Sequence, residues 1–197
     1  MALIQSDSGR LCGTNRAFEG ERVSGDGLFY HEDEEGILLS ISDGLGHGKG
    51  AHKVSSDISS FLESHHHKDI AALITQVHEK IAPCMGAAMA IAYINLKEGL
   101  VSFCGIGNVG GYLIGPRDKV FVCKDGMVGA NMRSPLVQSE TLSPGDKVIL
   151  ASDGIHERFY SKAKRHIFKE KPTLIVQYLL DEFSKPYDDA SCWVFEY

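Results

Sequence analysis

The sequence predicts an α+β fold with antiparallel strands, formed by one domain over residues 1–197. Short apolar runs separated by Gly, Asn or Pro follow one another between residues 86 and 123, a pattern typical of antiparallel strands. Apolar residues recur at helical spacing in residues 54–62 and again in residues 70–81, so two helices follow each other directly. A chain of this length fills one hydrophobic core, and nothing in its composition requires a second domain.

The predicted elements follow the chain in the order strands, two helices, strands, one or two helices, and a final strand. Pro83 closes the second helix because proline cannot continue it. Residues 127–139 have no clear period and are interpreted as a loop over the sheet, and helical spacing returns in residues 174–183. Strands are predicted at residues 10–16, 28–30, 37–41, 87–95, 100–105, 110–114, 120–123, 147–151 and 192–195.

The composition excludes several classes of protein. A hydrophobic fraction of 43% and a charged fraction of 23% are those of an ordinary globular protein, and no apolar stretch approaches a membrane span in length. The net charge of −6 argues against a nucleic-acid or anionic-membrane surface. The first residues lack the basic region and apolar core of a signal peptide, so we expect no export, and five scattered cysteines without a C-x-x-C pair indicate reduced thiols. We therefore expect a cytoplasmic protein whose macromolecular partner is another protein.

One apolar strand ends in a carboxylate followed by a run of glycines. Residues 37–41 lead to Asp43, and glycine alternates with other residues up to position 50, which lets a cation or an anion approach the backbone. A phosphate loop of the G-x-x-x-x-G-K-[ST] kind is excluded, since it needs glycine in place of Asp43 and Ser or Thr in place of Gly50. Two G-x-G-x-x-G/A matches, at residues 46–51 and 105–110, lack the rest of a dinucleotide-binding pattern. Because only these two matches support it, a nucleotide-binding enzyme is a weak alternative.

Carboxylates recur at the ends of predicted strands. Asp43 and Asp153 each follow an apolar strand and precede glycine, Asp188 shortly precedes the last strand, and Asp26 begins a strand between two glycines. Clustered carboxylates repel one another unless protons or cations balance them, and hard oxygen ligands favour Mg²⁺ or Mn²⁺ over zinc. The recurrence indicates a two-metal site, although any one aspartate alone is typical of a turn. The triplet at residues 65–67, all histidine, is interpreted as a solvated loop.

Several short motifs together resemble the metal-dependent type 2C protein Ser/Thr phosphatases, in the compact bacterial form related to the sporulation phosphatase SpoIIE. The motifs occur in the family's order and span nearly the whole chain. The resemblance implies a four-layer α-β-β-α sandwich, with two antiparallel sheets flanked by helices and metals at one edge between the sheets. The motifs are Ser24-Gly25-Asp26, Ser42-Asp43-Gly44-Leu45-Gly46-His47-Gly48, Gly86-Ala87-Ala88, Gly107-Asn108, Ser152-Asp153-Gly154 and Asp188-Asp189-Ala190-Ser191.

The resemblance also implies a role for each site residue. Asp43 would bridge two Mn²⁺ or Mg²⁺ ions, the Gly44 carbonyl would bind the second ion, Asp153 and Asp188 would hold the first, and Asp26 matches an aspartate near the second. Asp43, Asp153 and Asp188 are thus the implied catalytic residues, and a water activated by the metals attacks phosphorus without a covalent phosphoenzyme.

Other positions in the motifs leave alternatives open. His47 is either a general acid for the leaving serine or threonine oxygen or a structural cap. Ser191 stands where the family often has Thr and keeps the hydroxyl. The phosphate-binding arginine of the eukaryotic members has no counterpart, since Arg16 and Arg22 precede Asp26 without a matching motif.

In its small size, the chain resembles the freestanding phosphatase of the stressosome in Gram-positive stress signalling. The resemblance implies that the substrates are phosphorylated STAS-domain proteins: the stressosome scaffold or, as the alternative, an anti-anti-sigma factor. A different hypothesis is a non-catalytic regulator that binds a phosphoprotein. The retained carboxylates argue against it, because such a regulator has little reason to keep a costly cluster of negative charge. No nucleic-acid or membrane partner is expected.

Overall fold

Two antiparallel sheets stack face to face between layers of helices. The computed structural model describes residues 2–6 and 8–197. The strands are β1 (Ala2–Gln5), β2 (Leu11–Arg16), β3 (Asp26–Glu32), β4 (Gly36–Gly44), β5 (Ala87–Asn95), β6 (Leu100–Ile106), β7 (Gly110–Ile114), β8 (Lys119–Phe121), β9 (Gln138–Thr141), β10 (Lys147–Ala151) and β11 (Ala190–Glu196). The helices are α1 (Gly48–His65), α2 (Ile70–Ile81), α3 (Phe159–Lys162) and α4 (Pro172–Phe183), and a 3₁₀ helix covers Arg165–Lys169.

The two sheets enclose the largest apolar cluster of the protein. One sheet has the strand order β1-β2-β11-β10-β7-β8, and the other has the order β3-β4-β5-β6-β9. Alternate residues of β4, β5, β10 and β11 point into the space between the sheets, because successive side chains of a strand face opposite sides. Trp193 on β11 is fully buried there and donates a 2.9 Å hydrogen bond from Nε1 to the Ser40 carbonyl of β4. This bond joins the two sheets directly.

Helices cover the outer face of each sheet. α1 and α2 pack on the five-stranded sheet through buried residues one helical turn apart, such as Ile58 and Leu62 in α1 and Ile70 and Ile74 in α2. α4 packs on β2 and β11 of the other sheet, and Pro172 at its first position supplies a backbone already suited to a helix start. No helix within residues 2–6 and 8–197 is long and apolar enough to cross a membrane. The four-layer arrangement agrees with the sequence-based expectation.

Some local predictions from the sequence are wrong. The strands between residues 86 and 123 do not form one meander, because β6 belongs to the five-stranded sheet and β7 to the six-stranded sheet. The interpreted loop at residues 127–139 ends in β9, whose Gln138 pairs with Phe103 of β6. The short strand β1 was not expected at all, and His65 forms the last turn of α1 instead of part of the following loop.

Candidate active site

The ends of the central strands of both sheets meet at one edge of the sandwich. β4 ends at Asp43-Gly44, β10 leads directly into Asp153, and Asp188 lies just before β11. The side chains of Asp43, Asp153 and Asp188 line one cleft of about 340 Å³. Asp26, the first residue of β3, lies opposite Asp43 in the antiparallel register, so their side chains are on the same face of the sheet. The structure therefore brings the four aspartates chosen from the sequence to one place.

The repeated Ser-Asp-Gly motif has a packing reason as well as a chemical one. A Cβ atom on Gly44 would collide with the backbone carbonyl of Ala51 in α1. A Cβ atom on Gly154 would likewise collide with the backbone carbonyl of Asp189. Glycine at both positions lets another part of the chain come within contact distance of the strand end. The carboxylate before each glycine is thereby held at the edge of the cleft.

Asp26 lies beneath the cleft and is only 3% exposed. Its Oδ2 accepts a 2.7 Å hydrogen bond from the Ser191 hydroxyl, while its Oδ1 is buried without a hydrogen-bond partner. Burial raises the pKa of Asp26 to about 7, because the charged form loses its hydration. An unpaired buried carboxylate oxygen costs free energy unless a proton or a cation satisfies it. This oxygen is thus suited to a proton or to the hydration shell of a cation.

Negative charge accumulates around Asp43. Burial, followed by repulsion from the neighbouring carboxylates of which Asp26 is the strongest, raises the pKa of Asp43 to about 8. Burial and the nearby Asp153 carboxylate also raise the pKa of Asp188. A divalent cation would offset this repulsion and would meet hard oxygen ligands. The charge and the donor atoms of the cleft therefore fit Mg²⁺ or Mn²⁺.

The carboxylates do not form a closed metal cage. Within the described residues, no three His, Cys, Asp or Glu side chains converge closely enough to enclose an ion. Mg²⁺ commonly keeps several of its water ligands and binds proteins through one or two carboxylates. An open set of carboxylates around a cleft is compatible with that mode of binding, in which water completes the coordination.

Hydrogen bonds orient two of the carboxylates, and the sequence did not predict either arrangement. Asn108 donates a 2.6 Å hydrogen bond from Nδ2 to Asp153 Oδ2. Asp189 is buried and accepts hydrogen bonds from the backbone amides of Phe18 (2.7 Å) and Gly25 (2.8 Å). Asp189 thus fixes the chain that leads into β3. The motifs contained both residues, but no pattern in the sequence distinguished these supporting roles from metal binding.

His47 and Arg16 have clear positions near the cleft. His47 stands at the N-cap position of α1 and lines the cleft, yet its side chain makes no capping hydrogen bond. Its Nδ1 lies 2.9 Å from Glu21 Oε1, so a carboxylate orients the imidazole. Arg16 donates to the backbone carbonyls of Lys185 (2.6 Å) and Asp188 (3.3 Å) and thereby holds the segment that carries Asp188.

Comparison with known proteins identifies the family. A family model described as Stage II sporulation protein E (SpoIIE) matches residues 33–196. The chain belongs to the SpoIIE family. Phosphoserine phosphatase RsbX of Bacillus subtilis (strain 168) is 26% identical over 140 residues, which are 70% of this chain and 70% of RsbX.

Solved structures share the fold of this SpoIIE-family chain. RsbX in complex with magnesium has a TM-score of 0.84 at 20% identity, covering 99% of this chain and 98% of that one. A chain from a study of the bacterial stressosome, described as a modular system adapted to control secondary messenger signalling, has a TM-score of 0.86 at 22% identity and covers 94% and 97%. A chain with the PP2C phosphatase domain and a fragment of the regulatory domain of SpoIIE from Bacillus subtilis has a TM-score of 0.75 at 21% identity, covering 94% of this chain and 62% of that one.

These matches confirm three predictions made from the sequence. The SpoIIE-like type 2C (PP2C) family, the sandwich of two antiparallel sheets and the class of enzyme, a protein serine/threonine phosphatase, are all as expected. The PP2C class is metal-dependent, and the RsbX structure contains magnesium. The metal-ligand roles of the individual residues remain predictions.

Proposed function

We propose that this phosphatase removes phosphate from serine or threonine residues of STAS-domain proteins in stressosome signalling, using two Mg²⁺ or Mn²⁺ ions. The observation that carries the proposal is the single cleft lined by Asp43, Asp153 and Asp188 at the edge between the sheets. The similarity to RsbX, a phosphoserine phosphatase, supports the substrate class. The similarity to a chain from a study of the bacterial stressosome supports the signalling context.

The proposed ligand set is the one that the family resemblance implies, and the cleft brings its carboxylates together. Asp43 would hold both ions, and its carboxylate is close enough to those of Asp26, Asp153 and Asp188 for their charges to raise its pKa. Asp153 and Asp188 would help to hold the first ion, and the Gly44 carbonyl the second. Asp26 would act near the second ion, either directly or through water. When bound, the ions supply positive charge to the phosphoryl oxygens and lower the pKa of a water molecule.

Other side chains of the protein orient the proposed metal ligands and supply a proton to the leaving group. Asn108 fixes the orientation of Asp153, and the buried hydroxyl of Ser191 does the same for Asp26. His47 donates a proton to the leaving seryl or threonyl oxygen, with Glu21 holding its ring. We propose direct attack by water on phosphorus, without a covalent phosphoenzyme.

The test is metal-dependent turnover of a small substrate. Release of p-nitrophenol from p-nitrophenyl phosphate is measured with Mn²⁺, with Mg²⁺ and with EDTA. Wild type is compared with Asp43→Asn, Asp153→Asn and the control Asp125→Asn, whose side chain is highly exposed. We expect turnover with metal that EDTA abolishes and that only the first two variants lose. A wild type that is inactive with both metals and binds no Mn²⁺ in calorimetry would instead support the phosphoprotein-binding regulator.

The preferred substrate needs a separate measurement. Phosphorylated stressosome scaffold protein and phosphorylated anti-anti-sigma factor are offered at equal concentration, and kcat/KM is compared. We propose the scaffold as the preferred substrate, and a higher kcat/KM for the anti-anti-sigma factor would reverse that choice.

We also propose that the enzyme acts in the cytoplasm. Its five cysteines are free thiols, as is usual in a reducing compartment.

A further inference from the structure

Exposed large apolar side chains concentrate around the active cleft. In the described part of the chain there are nine of them, and seven remain when Leu3 and Leu174 are set aside. Leu45 and Tyr187 line the cleft, and Met85 adjoins Gly86, whose carbonyl accepts a hydrogen bond from the Leu45 amide. The remaining four residues form what we call the apolar patch: Val120, Val122, Leu136 and Val137.

The apolar patch lies where the two sheets meet along their outer edges. Val120 and Val122 flank the buried Phe121, so both point outward. The side-chain amide of Gln138 forms hydrogen bonds with both backbone polar groups of Val122. Its Oε1 accepts from the Val122 amide (3.1 Å), and its Nε2 donates to the Val122 carbonyl (2.8 Å). Leu136 and Val137 directly precede Gln138, so these bonds attach their segment to Val122. The patch therefore consists of Val120 on β8, of Val122 just after β8, and of the two residues just before β9.

A second cleft connects the apolar patch to the active site. Its volume is about 490 Å³, and Val120 lies in its lining together with Asn108 and Asp153, which also line the active cleft. Lys185 and His156 lie in the same lining and offer hydrogen-bond donors to a bound chain. A polypeptide can thus occupy the second cleft while one of its side chains enters the active cleft.

We propose that the apolar patch is the docking surface for the folded body of the phosphoprotein substrate, an inference that rests on the proposed phosphatase function. The occupant is a folded protein with an apolar surface beside its phosphorylated serine or threonine. A phosphoprotein gains little from long-range attraction to a protein of net charge −6. Apolar burial next to the catalytic cleft supplies binding free energy that does not depend on charge.

The experiment compares a folded substrate with a small one. Val122→Asp and Leu136→Asp place a charge on the patch, and Leu174→Asp is the matched control, because Leu174 has a similar exposure of 48% on α4, away from both clefts. The substrates are a serine-phosphorylated STAS-domain protein and p-nitrophenyl phosphate. We expect both patch variants to lower the ratio of the two kcat/KM values about tenfold, as for a central interface residue. Leu174→Asp is expected to leave the ratio unchanged.

Each other outcome has a definite meaning. If the patch variants keep the wild-type ratio, or if wild type hydrolyses p-nitrophenyl phosphate but not the folded phosphoprotein, the docking inference is wrong and the phosphatase stands. If sedimentation shows a wild-type dimer that Val122→Asp converts to a monomer, a second copy of the chain covers the patch and the inference is again overturned. If wild type hydrolyses neither substrate with any metal, the proposed function fails, and the docking inference fails with it.

Discussion

Replacing Asp43 by Asn is expected to stabilise the metal-free protein, and to do so increasingly as the pH rises. In the folded protein without metal, the pKa of Asp43 is about 8 against an ordinary value of 3.8. The folded state therefore holds a proton that the unfolded chain releases between these two values. This contribution to stability is fully present below about pH 4 and is lost as the pH rises through 8. Asparagine carries no charge and avoids the loss.

The size of the effect follows from the pKa difference. Each unit of difference between folded and unfolded pKa corresponds to ~1.4 kcal/mol. Asp43 keeps some contact with water, which screens the repulsion, so we count only a third of the difference and obtain about 2 kcal/mol. For a protein of this length, that free energy raises Tm by ~4–8 °C.

The assay is thermal unfolding in EDTA at pH 5 and at pH 8. We expect Asp43→Asn to melt above wild type by a larger margin at pH 8 than at pH 5, while Asp125→Asn follows wild type at both values. The pH dependence separates loss of charge repulsion from a general packing effect. A Tm gain of equal size at both pH values, or no gain at pH 8, would refute the reasoning.

Three further predictions use the same cleft. Adding Mn²⁺ is expected to raise the Tm of wild type more at pH 8 than at pH 6, since protons compete with the metal for carboxylates; an equal rise would count against carboxylate binding. Asn108→Ala is expected to raise the Mn²⁺ concentration for half-maximal turnover about 10–100-fold, whereas an unchanged metal titration would remove Asn108 from the support of Asp153. Gly154→Ala is expected to lower the free energy of unfolding in urea by about 1–3 kcal/mol, because its methyl group meets the Asp189 backbone. Gly50→Ala, with open space around it, serves as the control and is expected to lose no stability.

Local patterns were enough to locate most helices and strands. The spacing of apolar residues identified α2 (Ile70–Ile81), and an apolar run identified β4 (Gly36–Gly44), because each depends on a few neighbouring residues. The change of sheet between β6 and β7 could not be predicted. Their connection, residues 107–109, has the length of an ordinary hairpin loop, yet it crosses from one sheet to the other. Which strands pair depends on contacts across the whole core.

The candidate site was predictable only at the level of residue type and motif. Asp43 and Asp153 were found because each stands between an apolar strand and a glycine. The difference between Asp188 and Asp189 depends on the structure, because neighbouring residues of an extended chain point to opposite sides. Asp188 faces the cleft, while Asp189 turns inward to backbone amides. Glu21 belongs to no motif, and only its contact with His47 draws attention to it.

The placement of Arg16 leaves the cleft without an arginine that could receive a phosphate. The Arg16 guanidinium donates to the carbonyls of Lys185 and Asp188, so it holds backbone instead of facing the cleft. Among the described residues that line the active cleft, His47 is the only one able to carry a positive charge. A phosphate ester entering this carboxylate-lined cleft would otherwise meet repulsion on several sides. With the proposed ligand set, the divalent ions that relieve the repulsion between Asp43 and its neighbours would also supply the charge that binds the substrate.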